Sequence, residues 1–452
     1  MCCISKQIAE TGSTSKVLIM TDVSRAQRAA FARGSFLLLL AVSCHAFAFN
    51  PAAPHAIFQA SGRHPVLRAR SSRPAASLKL RMVSQEMVQG VVDASQAGLH
   101  LAFADQGSNL AGKFFQASLL PYLAFLYFLN NNGAKTPKLS GFGFGFLLLF
   151  VIATIPTGII SKTVYGVSLA DVDWLHGSAE ALLTVTNILI AVGFRDAMSS
   201  GTAEGERGTL KIVAIAIAAL VAGAAAIGSP VLGFEAHTPF LAGLGDLPSN
   251  FFASMGAASE PANALSIPTW AIHFSSVFEW IFAMRLVWDY ADASKDQTWK
   301  GLTWGMLPLH ASGVAACTYH FFYNNPDLSF LVALQAGLTC LGNFTVAIAA
   351  ARIALANGWK VPFFSSTEAA SQQGDEKKQF LESKPPQESD TMLIAKLAGL
   401  TVTSAYLVKY GELFLSLPFQ ANAVAAIAMV ATPPALLASF YLQKAAAAQE
   451  AA

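Results

Sequence analysis

Ionisable side chains interrupt several apolar segments of this 452-residue chain. His176, Glu180 and Asn187 fall within about 40° on one face of a helix, because four- and eleven-residue spacings return to nearly the same direction. Charged or polar groups are costly in hydrocarbon, so each is a candidate for function. Neutral imidazoles can ligate haem iron, a chlorophyll magnesium or a transition metal, although the sequence requires none of these cofactors. The predicted cofactor ligands are His176, Glu180, His273, His310 and His320.

Amide side chains provide a second set of candidates, for a pocket that binds a small solute. Asn187, Asn343 and Gln335 lie in apolar segments that are long enough to be helices. The alternative for all these polar groups is interhelical hydrogen bonding, worth about 0.6 kcal/mol per bond in membrane bundles. A shared pocket of His176, Glu180 and His273 is also possible, because the predicted orientation of the spans places His176 and His273 in the same half of the membrane.

Known catalytic signatures are missing from the sequence. There is no clustered histidine box of the HxxxH type, no HExxH, no GxSxG and no phosphate-binding loop. Beyond the N-terminal leader only Cys317 and Cys340 remain, so neither a disulfide framework nor a cysteine metal site is expected. The sequence therefore does not favour an enzyme.

The composition indicates an all-α, polytopic membrane protein. Hydrophobic residues make up 54% of the chain and charged residues 12%, which is half of the roughly 25% found in soluble domains. The formal net charge is only +2, so no strong field would attract nucleic acid. The expected partner is the lipid bilayer. Windows of about 20 apolar residues predict nine spans: 114–131, 140–160, 174–194, 209–230, 265–288, 302–323, 327–351, 392–409 and 421–443.

Basic residues predict the orientation of these spans. With nine spans, most Lys and Arg residues lie on the side of the C-terminus, and only Lys113, Lys162 and Lys409 lie on the opposite side. Because basic loops stay on the side of insertion, the C-terminus is predicted to be stromal. The opposite side is called trans below, and the loop 231–263 belongs there.

The first 85 residues have the composition of a targeting sequence. No acidic residue occurs between Val23 and Gln85, and Arg25, Arg28 and Arg33 precede a short apolar run. This pattern is typical of a signal peptide, and the Arg-, Ser- and Pro-rich segment 50–82 after it is typical of a transit peptide. The pair resembles the bipartite leader of algae with complex plastids and predicts a plastid membrane, either thylakoid or inner envelope. The alternative is a secretory signal with a basic arm.

The spans suggest an internal repeat with a three-plus-one-plus-three layout. Two three-helix units, 113–198 and 264–356, each contain Pro in the first two spans and Asn in the third, namely Pro121, Pro156 and Asn187 against Pro268, Pro308 and Asn343. This plan resembles that of the small sugar transporters of the SWEET and PQ-loop type. The remaining predicted segments are a linker or surface helix (86–112), a connecting span (209–230), a disordered linker (357–391) and a C-terminal hairpin (392–444).

Two long motifs carry a family resemblance. ALSIPTWAIHFSSVFEWIFAM and WKGLTWGMLPLHASGVAACTYHFFYNNP, within about 264–352, resemble the plastid and cyanobacterial family called hypothetical chloroplast reading frame forty-nine, which has no assigned activity. SLLPYLAFLYFL and VDWLHGSAEALLTVTNILIAVGF, within about 113–198, resemble a second uncharacterised family of plants, algae and cyanobacteria. The resemblance implies an association with oxygenic photosynthetic membranes.

Three functions follow from these patterns. The first is transport or binding of a small solute between the two three-helix units. The second is assembly or stabilisation of a photosynthetic membrane complex, with a pigment or haem bound to the histidines. A membrane enzyme is the third, and it would need a convergent catalytic constellation that spacing alone does not reveal.

Overall fold

The computed structural model describes residues 110–203, 207–248, 250–360 and 389–450, and all regular structure in these ranges is helical. The leader of residues 1–85 lies outside them, as do most of the two predicted linkers. The α-helices, numbered in chain order, are α1 (Leu110–Leu129), α2 (Lys138–Ile160), α3 (Asp173–Ser200), α4 (Gly208–Gly228), α5 (Ile267–Ala293), α6 (Lys300–Gly305), α7 (Leu307–Phe321), α8 (Phe330–Ala356), α9 (Asp390–Gly411) and α10 (Ala423–Glu450).

Six of these helical segments are long and apolar enough to cross a membrane: Lys138–Tyr165, Asp173–Ser200, Gly208–Gly228, Pro326–Ala356, Asp390–Phe414 and Ala423–Glu450. Each of the nine predicted spans contains a helix, but the count of nine membrane crossings is not confirmed. Polar residues such as Glu279 and Arg285 dilute the apolar character of α5. The predicted span 302–323 is divided into α6 and α7, and Pro308 stands at the start of α7.

Hydrogen bonds and ion pairs define two ends of the bundle. At one end α3 and α5 begin and α7 ends, and there the Asn324 side-chain amide donates to Asp171 Oδ1 at 2.8 Å. We call this the trans end. At the other, cis end, Tyr290 Oη donates to the Lys135 carbonyl at 2.6 Å, and Arg195 Nε lies 3.2 Å from Asp390 Oδ1.

The helices pack in a ring in which sequence neighbours are not always spatial neighbours. Helix α2 packs on α3, α3 on α5, α7 on α8, and α8 on α1. The largest apolar cluster fills the cis half and includes large side chains from α1, α3 and α5, among them Phe125, Phe194 and Trp288. Of the polar residues singled out from the sequence, His176, His273 and His320 lie beyond this apolar core, toward the trans end.

A close backbone approach joins α2 and α3 and yields a stability prediction. A Cβ atom at Gly193 would collide with the backbone nitrogen and Oγ of Ser140, whose hydroxyl donates to the Ile190 carbonyl at 2.9 Å. We expect Gly193→Ala to lower the free energy of unfolding by about 2 kcal/mol, because overpacking forces the helices apart. Thermal unfolding in detergent measures this. Gly223→Ala on α4 is the control, since nothing lies within 4 Å of its added Cβ, and an equal loss there would contradict the packing argument.

Candidate metal centre

Three histidines from three helices meet near the trans end of the bundle. His176 lies on α3, His273 on α5 and His320 on α7, and one ring nitrogen from each lies within 4.8 Å of the other two. The Nε2 atoms of His176 and His273 are 2.9 Å apart. The ring centroids are separated by 4.9 Å for His176 and His273, 4.9 Å for His176 and His320, and 4.7 Å for His273 and His320. We call these three residues the histidine trio.

The trio is almost fully shielded. The exposed fractions of His176, His273 and His320 are 8%, 3% and 5%. The Nδ1 atoms of His176 and His320 are buried and form no hydrogen bond of normal geometry with the described residues, although the Leu169 carbonyl lies near the ring of His176 and the Asn324 side chain near that of His320. A buried polar atom left without a partner costs about 1–3 kcal/mol. Hydrogen bonding between the rings therefore explains the contact of His176 with His273 but leaves other nitrogens unsatisfied.

The helix ends place the three rings at similar depth. His176 is three residues into α3 and His273 six residues into α5, which corresponds to about 4.5 and 9 Å along the helix axes. His320 occupies the last turn of α7, which runs in the opposite direction. Trp270 closes one side, with its ring centroid 6.3 Å from that of His273 and 6.4 Å from that of His320.

The other two predicted ligands are not members of the trio. Glu180 is one helical turn deeper on α3, half-buried, and its carboxylate lies near the thiol of Cys317. His310 is ten residues before His320, about 15 Å along α7. Both ring nitrogens of His310 are buried without a hydrogen-bond partner among the described residues. The converging ligand atoms thus come from His176, His273 and His320, and Glu180 is not among them.

The amide residues hold helices together. Asn187 Nδ2 donates to the Ser276 carbonyl at 3.2 Å, and Asn343 Nδ2 donates to the Ser118 carbonyl at 3.0 Å. Gln335 is half-buried, and its backbone carbonyl accepts from Ser312 Oγ at 3.0 Å. Asn187 is eleven residues from His176, about 16 Å along α3, so it does not join the trio.

An acidic cavity of about 170 Å³ opens at the trans end, beside the first turns of α3 and α5. Four carboxylates and one ammonium group line it: Asp171, Asp173, Asp246, Glu260 and Lys409. Sequence reasoning missed these acidic residues, although the DVD sequence at 171–173 directly precedes the span that carries His176. We call this space the trans cavity.

The carboxylates of the trans cavity also anchor its walls. Asp173 accepts the backbone N–H of Phe240 at 2.7 Å and that of Ser266 at 3.1 Å, and Asp246 accepts the N–H of Ile267 at 2.7 Å. Burial raises the pKa of Asp246, while the Ile267 N–H and Lys409 oppose the rise. Lys409 is buried and pairs with Glu260. Four acidic groups against one lysine leave the cavity attractive to cations.

The trio has the donors and the dimensions of a transition-metal site. Imidazole nitrogen is a good ligand for zinc, copper, iron and nickel, whereas magnesium and calcium prefer oxygen. In a tetrahedral site with metal–nitrogen bonds of about 2.0–2.1 Å, two ligating nitrogens are about 3.3 Å apart. The observed separations of 2.9 Å and up to 4.8 Å bracket that value. A haem or chlorophyll would need a wide, flat space beside one ring nitrogen, and here the ring nitrogens of the three imidazoles converge on one another.

Comparisons with known proteins divide the chain into two family segments. Residues 264–352 match the family described as "Protein of unknown function (DUF2499)", and residues 111–199 match "Protein of unknown function (DUF3593)". The first segment contains His273 and His320, and the second contains His176. No solved structure is significantly similar to the chain.

Two curated relatives each match about a fifth of the chain. A "Ycf49-like protein" of Synechocystis sp. is 52% identical over 88 residues, which are 20% of this chain and 85% of the relative. The "Uncharacterized protein ycf49" of Cyanophora paradoxa is 36% identical over 84 residues, which are 19% of this chain and 82% of the relative. With nearly the whole length of both relatives covered, the chain belongs to the ycf49 family, here fused to a second uncharacterised domain.

Proposed function

We propose that the protein binds one transition-metal ion through His176, His273 and His320. The observation that carries this proposal is the convergence of three buried imidazole nitrogens within 4.8 Å, contributed by three different helices. Three histidine ligands leave a fourth coordination position open for water, a further ligand or an exchanging donor. Such a site suits reversible binding of the ion better than a closed four-ligand site does.

The trans cavity supports a cation as the ligand and indicates where it enters. Asp173, which lines the cavity, is three residues before His176 on the same helix. Carboxylates in a cleft raise the local concentration of cations and their rate of association. We propose that the ion reaches the trio from the trans end.

We propose the three-plus-one-plus-three layout of two repeats as part of this function. In that layout the trio would lie between the two three-helix units, because His176 belongs to the first unit and His273 and His320 belong to the second. In both units the Asn of the third helix donates to a serine carbonyl on the first helix of the other unit, as described above for Asn187 and Asn343. In both units an aromatic residue on the first helix also donates to a backbone carbonyl further along: Tyr122 Oη to Phe144 at 2.6 Å, and Trp280 Nε1 to Met306 at 3.1 Å. Transporters built from repeats bind substrate at such interfaces, which favours the metal ion as the solute.

We also propose that the protein is located in a plastid membrane. The composition of the leader favours the thylakoid or the inner envelope membrane. The distribution of basic residues favours a stromal C-terminus. A split fluorescent protein at the C-terminus, with its complement in the stroma, tests this placement. Fluorescence supports a stromal C-terminus, and signal only with a lumenal or intermembrane complement contradicts it.

Elemental analysis of the protein purified gently from its native membrane tests the proposed function. We expect about one zinc, copper or iron ion per chain and no stoichiometric haem or chlorophyll absorption. A stoichiometric tetrapyrrole without a transition-metal ion at the trio would contradict the proposal. That result would favour the second candidate, a pigment-binding assembly factor of a photosynthetic complex, because both ring nitrogens of His310 are buried and have no hydrogen-bond partner in the part of the chain that the structure describes.

A further inference from the structure

A second cavity lies on the outer surface of the bundle, toward the cis end and away from the trio. Its volume is about 390 Å³, and it lies between α5, α9 and α10. Its lining is apolar and aromatic except for one cationic residue, Arg285. We call it the Arg285 groove. The apolar lining residues include Phe278, Ile281, Leu400, Leu437 and Phe440.

Arg285 lies at a depth where its side chain can reach the headgroups of a bilayer. Helix α5 has 27 residues and is about 40 Å long, and Arg285 is eight residues, or about 12 Å, before its cis end. A helix centred in a hydrocarbon layer of about 30 Å would hold this Cα about 8 Å from the midplane. Arginine at such a depth extends its guanidinium toward the interface while its methylene groups stay in the apolar layer.

The charge beside the groove is incompletely balanced. Arg285 Nε lies 3.5 Å from Asp289 Oδ2, and 65% of the Arg285 side chain is exposed. Lys444 Nζ approaches the same carboxylate, at 2.8 Å from Asp289 Oδ1. Two cationic side chains therefore share one anion, and a positive charge is left at the headgroup end of an apolar channel.

We propose that the Arg285 groove binds an anionic membrane lipid, with an acyl chain along α5, α9 and α10 and the acidic headgroup on Arg285 and Lys444. Apolar lining matches the acyl chain, and the surplus positive charge matches the headgroup. Basic pockets between membrane helices bind anionic lipids in this way, and each basic residue contributes about 1 kcal/mol. The proposal is independent of the metal at the trio.

Native mass spectrometry of the full chain tests this lipid site. The protein in mild detergent is incubated with equimolar phosphatidylglycerol and phosphatidylcholine, and retained lipids are counted. We expect one phosphatidylglycerol to be retained in preference, and Arg285→Gln to weaken its retention about fivefold, which corresponds to the loss of one basic contact. Inorganic phosphate should not compete, because it lacks the acyl chain.

Two variants separate the groove from general surface charge and from misfolding. Arg352→Gln removes an exposed arginine near the cis end of α8, outside the groove, and should leave retention unchanged. Leu400→Trp should block the groove and reduce retention while Arg285 stays in place. Equal retention of the two lipids, or equal effects of Arg285→Gln and Arg352→Gln, would overturn the proposal. Gel filtration of each variant verifies that it is folded.

Discussion

His273→Ala should weaken zinc binding at least about 100-fold. Structural zinc sites contribute about 10–16 kcal/mol of apparent binding free energy, so the loss of one of three protein ligands should cost more than 3 kcal/mol. The ring centroid of His273 lies 4.9 Å from that of His176 and 4.7 Å from that of His320, and the two remaining imidazoles cannot enclose an ion by themselves. Competition with a zinc chelator in detergent measures the affinity of the purified full chain.

The matched control for this variant is His310→Ala. It also removes a buried histidine from the same bundle, and His310 is only 2% exposed, but its ring lies outside the trio. Zinc affinity should stay within a few-fold of wild type. If His310→Ala and His273→Ala weakened binding equally, the loss would reflect general damage to the bundle, and the trio would not be the site.

Asp173→Ala should lower the free energy of unfolding by about 3 kcal/mol. Asp173 is 7% exposed, and its carboxylate accepts the N–H groups of Phe240 and Ser266. It thereby joins the loop 231–263 and the start of α5 to α3. Hydrogen bonds to a charged acceptor contribute about 1.5–3 kcal/mol each, and their loss leaves two backbone donors to find new partners. Thermal unfolding in detergent should show a midpoint at least about 5 °C lower.

Two further variants make the Asp173 prediction specific. Asp173→Asn keeps one acceptor oxygen and should lose about half as much stability. Asp327→Ala removes an exposed carboxylate from the turn before α8 and should change the midpoint by less than about 1 °C. A midpoint for Asp173→Ala equal to that for Asp327→Ala would show that the two hydrogen bonds do not support the trans end.

The helical membrane character of the chain could be predicted because long apolar runs report directly on burial in lipid. The count of nine membrane crossings stays a prediction, because six helical segments of the described residues are long and apolar enough to cross a membrane. Helix α5 carries Glu279 and Arg285, and the segment 302–323 breaks at Gly305. A Cβ atom at Gly305 would lie 2.9 Å from the Thr345 carbonyl oxygen, so close contact with α8 shapes this segment. Such tertiary contacts leave little trace in hydropathy.

The candidate site could be predicted only in part. Helix directions place His176, His273 and His320 in the trans halves of their helices, and the structure has them together there. Helices that are apolar on all sides give no reliable facing direction, so the sequence predicts His320 as a ligand but does not predict its contact with His176 and His273. The acidic residues of the trans cavity lie mainly in loops, where their proximity depends on the long-range contacts of Asp173 and Asp246.

X-ray absorption spectroscopy at the zinc edge of the zinc-loaded full chain tests the central claim most directly. We predict about three imidazole nitrogens at about 2.0–2.1 Å, with the outer-shell scattering that imidazole rings produce. The same spectrum of His273→Ala should show fewer imidazole ligands or no bound zinc. A wild-type spectrum dominated by sulfur or oxygen ligands, without imidazole scattering, would contradict a metal centre formed by His176, His273 and His320.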